Sequence, residues 1–398
     1  MNQNNTFSLL RGITVVEYSH MVMGPCCGVV LADLGARVIK VEPIKGDNTR
    51  RLAGSGAGYF PMYNRNKQSL AIDVNKPEGL TLLKSLIKSS DVFIENFRPQ
   101  ALNKYELDFD SLHKKHPSLI YLSLKGFLSG AYQNRTALDE VVQMFSGLAY
   151  MTGLPERPMR AGTSVVDITG ALFGVIGILA MLEQRKKTNL GGLVQSSLFE
   201  TAAFLVGQHI AQYASSEKPL QPMSVRQSAW SIYDLFDLAD GTKLFVAVVS
   251  DTQWKIFCQE FNLLELLNDP SLAQNNQRVE KRDTILPIVR QTFLRMDKND
   301  LLKKLDTCGV PFAPILQPNQ LLQDQHLLQA GLVPITLSDG NNKGKAIQLP
   351  ALPIEVNGMR SGIHHQVPTI GEDSDSVCAS LGYTTQEITQ LKQQGVIA

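Results

Sequence analysis

Along residues 13–124 the apolar positions follow two rhythms that alternate. Short runs in which most residues are apolar or β-branched, Ile13–Glu17, Arg37–Glu42, Ser69–Asp73, Val92–Glu95 and Leu119–Leu124, read as strands. Between them the apolar residues return at helical spacing. Val29, Val30, Leu31 and Leu34 precede Gly35, and Leu80, Leu83, Leu86 and Ile87 follow Pro77, a proline suited to the first helical position. Gly24-Pro25 separates the first strand from its helix. Strands and helices in strict alternation predict an α/β fold with a Rossmann-like, doubly wound and mostly parallel sheet.

From about Leu138 the period is helical throughout. Val141, Val142 and Phe145 share a face, the nearly uncharged stretch Ala171–Leu182 predicts a long buried helix ending near Thr188, and Ser196–Ala214 predicts another. Residues 216–228 are polar and hold two prolines, as a crossing linker would. Ile232–Leu238 and Lys243–Val249 flank Asp240-Gly241 as a hairpin, helices follow near 252–263 and 278–296, and a third leads into Val310–Leu316. This predicts a large domain over 1–215, a small α+β domain over 225–325 and a return to the large domain over 330–398, with Thr384 and Glu387 in capping-box spacing in the tail.

Composition narrows the function classes. At 398 residues the chain exceeds one ordinary core, and 43% hydrophobic with 19% charged residues marks it as globular. A net charge of +1, with no long block of one sign, gives no reason to expect nucleic acid or a membrane as partner. The run Ala171–Leu182 is shorter than the roughly 18 residues of a spanning helix. The first residues lack the pattern of a secretory signal, so a cytoplasmic location is expected. Five cysteines without a C-x-x-C pair predict reduced thiols and no metal.

Among candidate chemical groups, Asp167 stands out. It sits among Val165, Val166 and Ile168 at the head of the long apolar helix, where a carboxylate is either an N-cap or a reactive acid kept from water. Arg135, Glu140 and Arg160 are near it in sequence. The first strand–helix loop, Gly24-Pro-Cys-Cys-Gly28, departs from G-x-G-x-x-G, and Pro25 has no amide to offer a pyrophosphate. His113 and His116 lie among Lys114, Lys115 and Pro117, a solvated helix end rather than a zinc site, and no G-x-S-x-G elbow occurs. Basic residues recur beside the strands: Arg50, Arg51, Lys67, Arg98 and Lys125. A phosphorylated ligand and ordinary surface charge explain them equally well.

Several segments together resemble the family III CoA-transferases, the group of formyl-CoA and carnitine CoA-transferases. They are Leu10–Glu17, Gly24-Pro25, Leu31–Pro43, Gly46-Asp47 through Arg50, Asn64–Lys67, Asp91–Pro99, Ser123–Phe127, Ser146-Gly147, Gly153, Asp167, Gly371-Glu372 and Gly395-Val396-Ile397. The resemblance spans nearly the whole chain. It implies an interlocked homodimer in which a small domain is inserted into a Rossmann-like one. It also implies an acyl-CoA and a carboxylic acid as substrates, no further cofactor, and Asp167 as nucleophile through anhydride and aspartyl-CoA thioester intermediates. The matching positions imply coenzyme A contacts at Arg37, Lys67, Asn96, Phe97, Arg98, Lys104 and Lys125. Arg135 or Arg160 would receive a second carboxylate if the acceptor is a C4 or C5 dicarboxylate, the alternative being a structural pairing with Asp139 or Glu140. The glycine-rich lid of formyl-CoA transferase has no counterpart here, which speaks against oxalate. An α-methylacyl-CoA racemase, an isomerase of the same fold, would need a histidine where Ala137 stands, and a non-catalytic CoA-binding paralogue is the remaining alternative.

Overall fold

The computed structural model describes residues 7–98, 100–226 and 228–398. They divide into two units, one from residues up to 224 together with 325–398, the other from 225–324. In chain order the first unit contains β1 (Thr14–Tyr18), α1 (Met23–Asp33), β2 (Arg37–Glu42), α2 (Tyr59–Tyr63), β3 (Lys67–Ala71), α3 (Pro77–Lys88), β4 (Val92–Glu95), α4 (Phe109–Lys115), β5 (Ile120–Lys125), α5 (Asp139–Phe145), α6 (Leu148–Thr152), α7 (Val165–Thr188), β6 (Gly192–Ser197), α8 (Leu198–Leu205) and α9 (Gly207–Ser216). The six strands form one sheet in the order β3-β2-β1-β4-β5-β6, every neighbouring pair parallel. This is the order that two mononucleotide-binding halves generate.

Strand pleating explains the two cores. Val15, Val38, Ile94, Ile120 and Leu122 point to the side covered by α1, α7 and α8. Val16, Ile39, Val41, Phe93 and Tyr121 point to the other, where α3, α4 and the C-terminal helices Ser374–Ser380 and Thr385–Gln393 lie. A parallel sheet covered on both faces needs apolar residues at consecutive positions, the pattern that β1, β2, β4 and β5 carry.

Three expectations shift. The third strand is Lys67–Ala71 rather than Ser69–Asp73. β6 adds an edge strand that the sequence reading assigned to a helix and its approach. Its burial alternates between half-covered and exposed until Ser196, so it lacks the continuous apolar run of the inner strands. The helix expected over Ser196–Ala214 is two, divided at Val206.

α7 runs for 24 residues, and its most apolar 18-residue window has a mean hydropathy of 2.2. By length and composition alone it could cross a bilayer, unlike the shorter run read from sequence. Val166, Gly170, Ala171, Gly174, Val175, Ile178 and Leu182 are nonetheless buried in the core of the unit. Gly174 permits that approach, since a Cβ there would stand 3.0 Å from Leu122 and 3.2 Å from Cys27.

Under the first turns of α1 lies a buried ionic cluster. Glu17 and Lys40 are register partners on β1 and β2, and Glu17 accepts from Lys40 Nζ at 3.3 Å and from Lys67 Nζ at 2.6 Å. All three side chains are 0% exposed. Lys40 also pairs with Asp47 at 3.0 Å. Gly28 is required above this cluster, because a Cβ there would fall 1.8 Å from Glu17 Oε2.

The second unit, 225–324, holds an antiparallel sheet of β7 (Ile232–Asp237), β8 (Lys243–Val248) and β9 (Phe312–Pro314). Helices Asp251–Glu260, Arg282–Leu294 and Lys298–Cys308 pack their apolar faces against it, burying Phe236, Trp254, Phe257 and Phe293.

Candidate active site

In a parallel sheet the loops that follow the strands share one edge, where ligands bind. β1 leads there into His20, β4 into Asn96 and Phe97, and β5 ends there in Lys125. α7 runs back towards the start of β6, so its first turn belongs to the same edge. Ser196, near the end of β6, ties the two together by donating to the Gly170 carbonyl at 2.8 Å.

Asp167 is the third residue of α7, whose N-cap is Ser164. It is therefore not the cap. The first-turn amides are accounted for without it. Val165 N–H donates to Thr163 O and Ile168 N–H to Ser164 O. Val166 N–H and Asp167 N–H both donate to Asp139 Oδ2, at 2.9 and 3.1 Å. Among the described residues the Asp167 carboxylate has no hydrogen-bond or ion-pair partner. The side chain is partly covered rather than sealed. Burial, reinforced by the Asp139 carboxylate and only partly offset by Arg160, pushes its acid up to about 7. A carboxyl group poised near neutrality without a partner is the arrangement of a reactive acid.

Asp139 is buried at the head of α5, and Gln143 holds it by donating from Nε2 to Oδ1 at 2.6 Å. Gln143 is itself fully buried and accepts from Ala161 N–H at 2.8 Å. Neither residue was singled out as a site residue from sequence. The available signal was their spacing of four on a helix, which lets two side chains meet.

The expected coenzyme A contacts fall into two groups. Asn96 bridges the His20 backbone, accepting its N–H at 3.0 Å and donating to its carbonyl at 2.7 Å. Phe97 packs on Tyr18 with ring centroids 4.6 Å apart, and Arg98 is exposed beside it. Lys125 pairs with Glu95 at 3.0 Å. These four lie at the edge that holds Asp167. Lys104 is exposed on the turn Asn103–Tyr105 that follows, its ammonium 4.4 Å from the Tyr105 ring centre.

The other two belong elsewhere. Arg37 opens β2 and so stands at the opposite edge of the sheet, bonded to Gln68 at 2.7 Å. There it lines a cavity of about 550 Å³ with Arg11, His364 and His365. Lys67 is sealed beneath α1, its ammonium engaged by Glu17, the Pro25 carbonyl at 2.9 Å and Asn64 at 3.1 Å, so all three donors are occupied. Arg50, another of the basic residues noted beside strands, is equally committed, to Glu42 at 2.6 Å.

Arg160 sits 3.5 Å from both Asp139 and Glu140, the structural pairing named as the alternative to a substrate role. Arg135 is exposed and lies over Phe145, 4.6 Å from its ring centre, within an aromatic group that includes Phe127, Tyr132 and Phe199. All five cysteines are free and buried.

Comparisons with known proteins give the family. The family model described as CoA-transferase family III matches residues 10–374. The succinate–glutarate CoA-transferase of Agrobacterium fabrum is 32% identical, over 94% of this chain and 95% of that protein. The succinyl-CoA–D-citramalate CoA-transferase of Chloroflexus aurantiacus is 28% identical, over 98% of each. The crystal structure of a CAIB/BAIF family protein from Brucella suis superposes with a TM-score of 0.81 at 29% identity, covering 94% of this chain and 99% of that one. With the six-stranded parallel sheet and an unpaired carboxylate at its ligand edge, these matches establish that the chain belongs to CoA-transferase family III and is a CoA-transferase.

Proposed function

We propose that this enzyme exchanges CoA between carboxylic acids through covalent intermediates on Asp167. The observation that carries the reading is the Asp167 carboxylate itself, half-buried, unpaired and outside the cap position. The carboxylate attacks the thioester carbonyl of the donor and expels CoA thiolate, leaving an acyl-aspartyl anhydride. The thiolate then attacks the aspartyl carbonyl and releases the donor acid, leaving an aspartyl-CoA thioester. The acceptor carboxylate attacks that carbonyl and expels thiolate again. Attack of the thiolate on the acceptor's acyl carbon yields the new CoA thioester and restores Asp167. Each step replaces a hard exchange with an easier one.

Asn96, Phe97, Arg98, Lys104 and Lys125 are proposed to line the path of the CoA moiety, since they follow β4 and β5 at the edge Asp167 occupies. A C4 or C5 dicarboxylate acceptor fits the substrates named for the Agrobacterium and Chloroflexus relatives. Arg135 suits its second carboxylate better than Arg160, because Arg160 already faces two carboxylates. Ala137 cannot move a proton, which disfavours the racemase alternative. A homodimer is supported by the unpartnered apolar stripe of Leu172, Ile176 and Leu179 on α7, up to 59% exposed. Five buried free thiols suit a reducing, cytoplasmic setting.

The test is to incubate the protein with succinyl-CoA, quench with hydroxylamine and map the modified peptide. A hydroxamate on Asp167, absent from Asp167→Ala, is expected. A label on another residue, or none with any donor despite CoA binding, would sink the mechanism.

A further inference from the structure

We propose that Asp139, clasped by Gln143, is the positioning residue for the Asp167 nucleophile, capping the two first-turn amides in place of Ser164 and so fixing the turn that carries the Asp167 carboxylate. The proposal rests on Asp167 being the nucleophile.

The first turn of a helix presents donors without intrahelical partners, and the side chain of the N-cap residue is the usual acceptor for the second and third of them, but the Ser164 side chain makes no such bond. Here the amides of Val166 and Asp167 go to Asp139 Oδ2 instead. Asp139 cannot swing away, because Gln143 holds its other oxygen at 2.6 Å while accepting from Ala161 N–H at 2.8 Å. One buried glutamine thus links α5 to the loop before α7 and, through Asp139, to α7 itself. Two consequences follow for Asp167. Its carboxylate stays free to point at substrate, and a second carboxylate beside it opposes its ionisation, which makes it a stronger base and nucleophile once ionised.

The groups whose charge Asp167 shares space with are Asp139 on α5, Arg160 in the preceding loop, Cys26 on α1 and Tyr63 on α2. Lys125 at the end of β5 pairs with Glu95, and Glu200 on α8 accepts from Leu128 N–H and Ser197. Asp139 is therefore the anion whose removal acts on Asp167 directly, and Arg160 the cation.

The experiment compares pH profiles of kcat and KM, and rates of hydroxylamine-trapped labelling, for the full-length wild type, Asp139→Asn and Gln143→Leu. Asparagine keeps an oxygen for the amides but not the charge. In Asp139→Asn the acid limb of kcat should move to lower pH and kcat should fall roughly 10- to 100-fold, with KM for the CoA thioester little changed. A purely structural cap would leave the pH profile of the folded variant where it was. If Asp139→Asn does not fold, Gln143→Leu decides, with a smaller loss of kcat and an unchanged KM expected. A folded Asp139→Asn, or failing that Gln143→Leu, with wild-type kcat and pH profile overturns the proposal. If the wild type labels on Asp167 and the variants label equally fast, the positioning role fails and the nucleophile stands. If the wild-type label lies elsewhere, both fall.

Discussion

Replacing Asp167 with asparagine should abolish transfer and stabilise the fold, and the gain should grow with pH. The ordinary value for an aspartate is 3.8, and burial beside Asp139 pushes Asp167 up to about 7. A group whose folded value is raised contributes fully to stability below its unfolded value and loses that contribution as pH rises through the folded one. At about 1.4 kcal/mol per unit, the raised Asp167 costs the fold roughly 4 kcal/mol at pH 8, where it is ionised in both states, and about 1.7 kcal/mol at pH 5, where only the unfolded chain is ionised. The side chain is partly exposed, and the amino end of α7 favours an anion, so about half of each figure is expected to survive. Asparagine has the same shape and no charge to bury. Both tryptophans, Trp230 and Trp254, lie in the second unit, so tryptophan fluorescence does not report on α7. Hydrogen exchange of α7 peptides does. Their protection in Asp167→Asn relative to wild type should rise roughly thirtyfold at pH 8 and about fivefold at pH 5. A variant no better protected than wild type at pH 8, or a gain independent of pH, would refute the account of a carboxylate held away from water.

Lys67→Met should lower the melting temperature sharply, since it strands Glu17 in a site where both residues are 0% exposed, and removing one partner of a buried pair costs about 3–5 kcal/mol. Thermal unfolding followed by circular dichroism checks it, and an unchanged melt would show that Lys40 alone satisfies Glu17. Arg98→Ala should raise KM for the CoA thioester several-fold, with a steeper effect at low salt, whereas Arg37→Ala should leave it within a factor of two, because Arg37 stands at the opposite edge of the sheet. Steady-state kinetics at two ionic strengths separates them, and a larger effect at Arg37 would reverse the assignment.

What could be read from the sequence depended on whether a contact is local. β1, β2, β4 and β5 were legible because both faces of each are covered, which demands consecutive apolar residues. β6 was not, because an edge strand with a glycine first, an exposed glutamine and two serines in the buried positions carries no such run. The antiparallel pair Leu332–Thr336 and Ala346–Pro350 escaped for a similar reason, its burial alternating along both strands. For the site, residue type was legible and direction was not. Arg37 and Arg98 are both arginines beside a strand. One precedes the body of β2 and the other follows β4, and in a parallel sheet that difference places them on opposite edges. Lys67 shows the same limit in depth, since a lysine opening a strand reads as surface until Glu17, 50 residues earlier, is seen beneath it.

Asp167 is the sharpest case. Cap and nucleophile make the same demand on a sequence, a carboxylate before an apolar helix. They differ in where the helix begins and in which acceptor takes the amides of its first turn. That acceptor is Asp139, 28 residues earlier on another helix, so the decision is tertiary. Transferring the cap to a remote residue also explains why the site tolerates two adjacent carboxylates, an arrangement that costs stability. One is stabilised by two amides and a glutamine, and the other is left without partners. The cost therefore falls on the residue proposed to react, and a fold selected for stability alone has no use for an unpaired carboxylate beside a capping one.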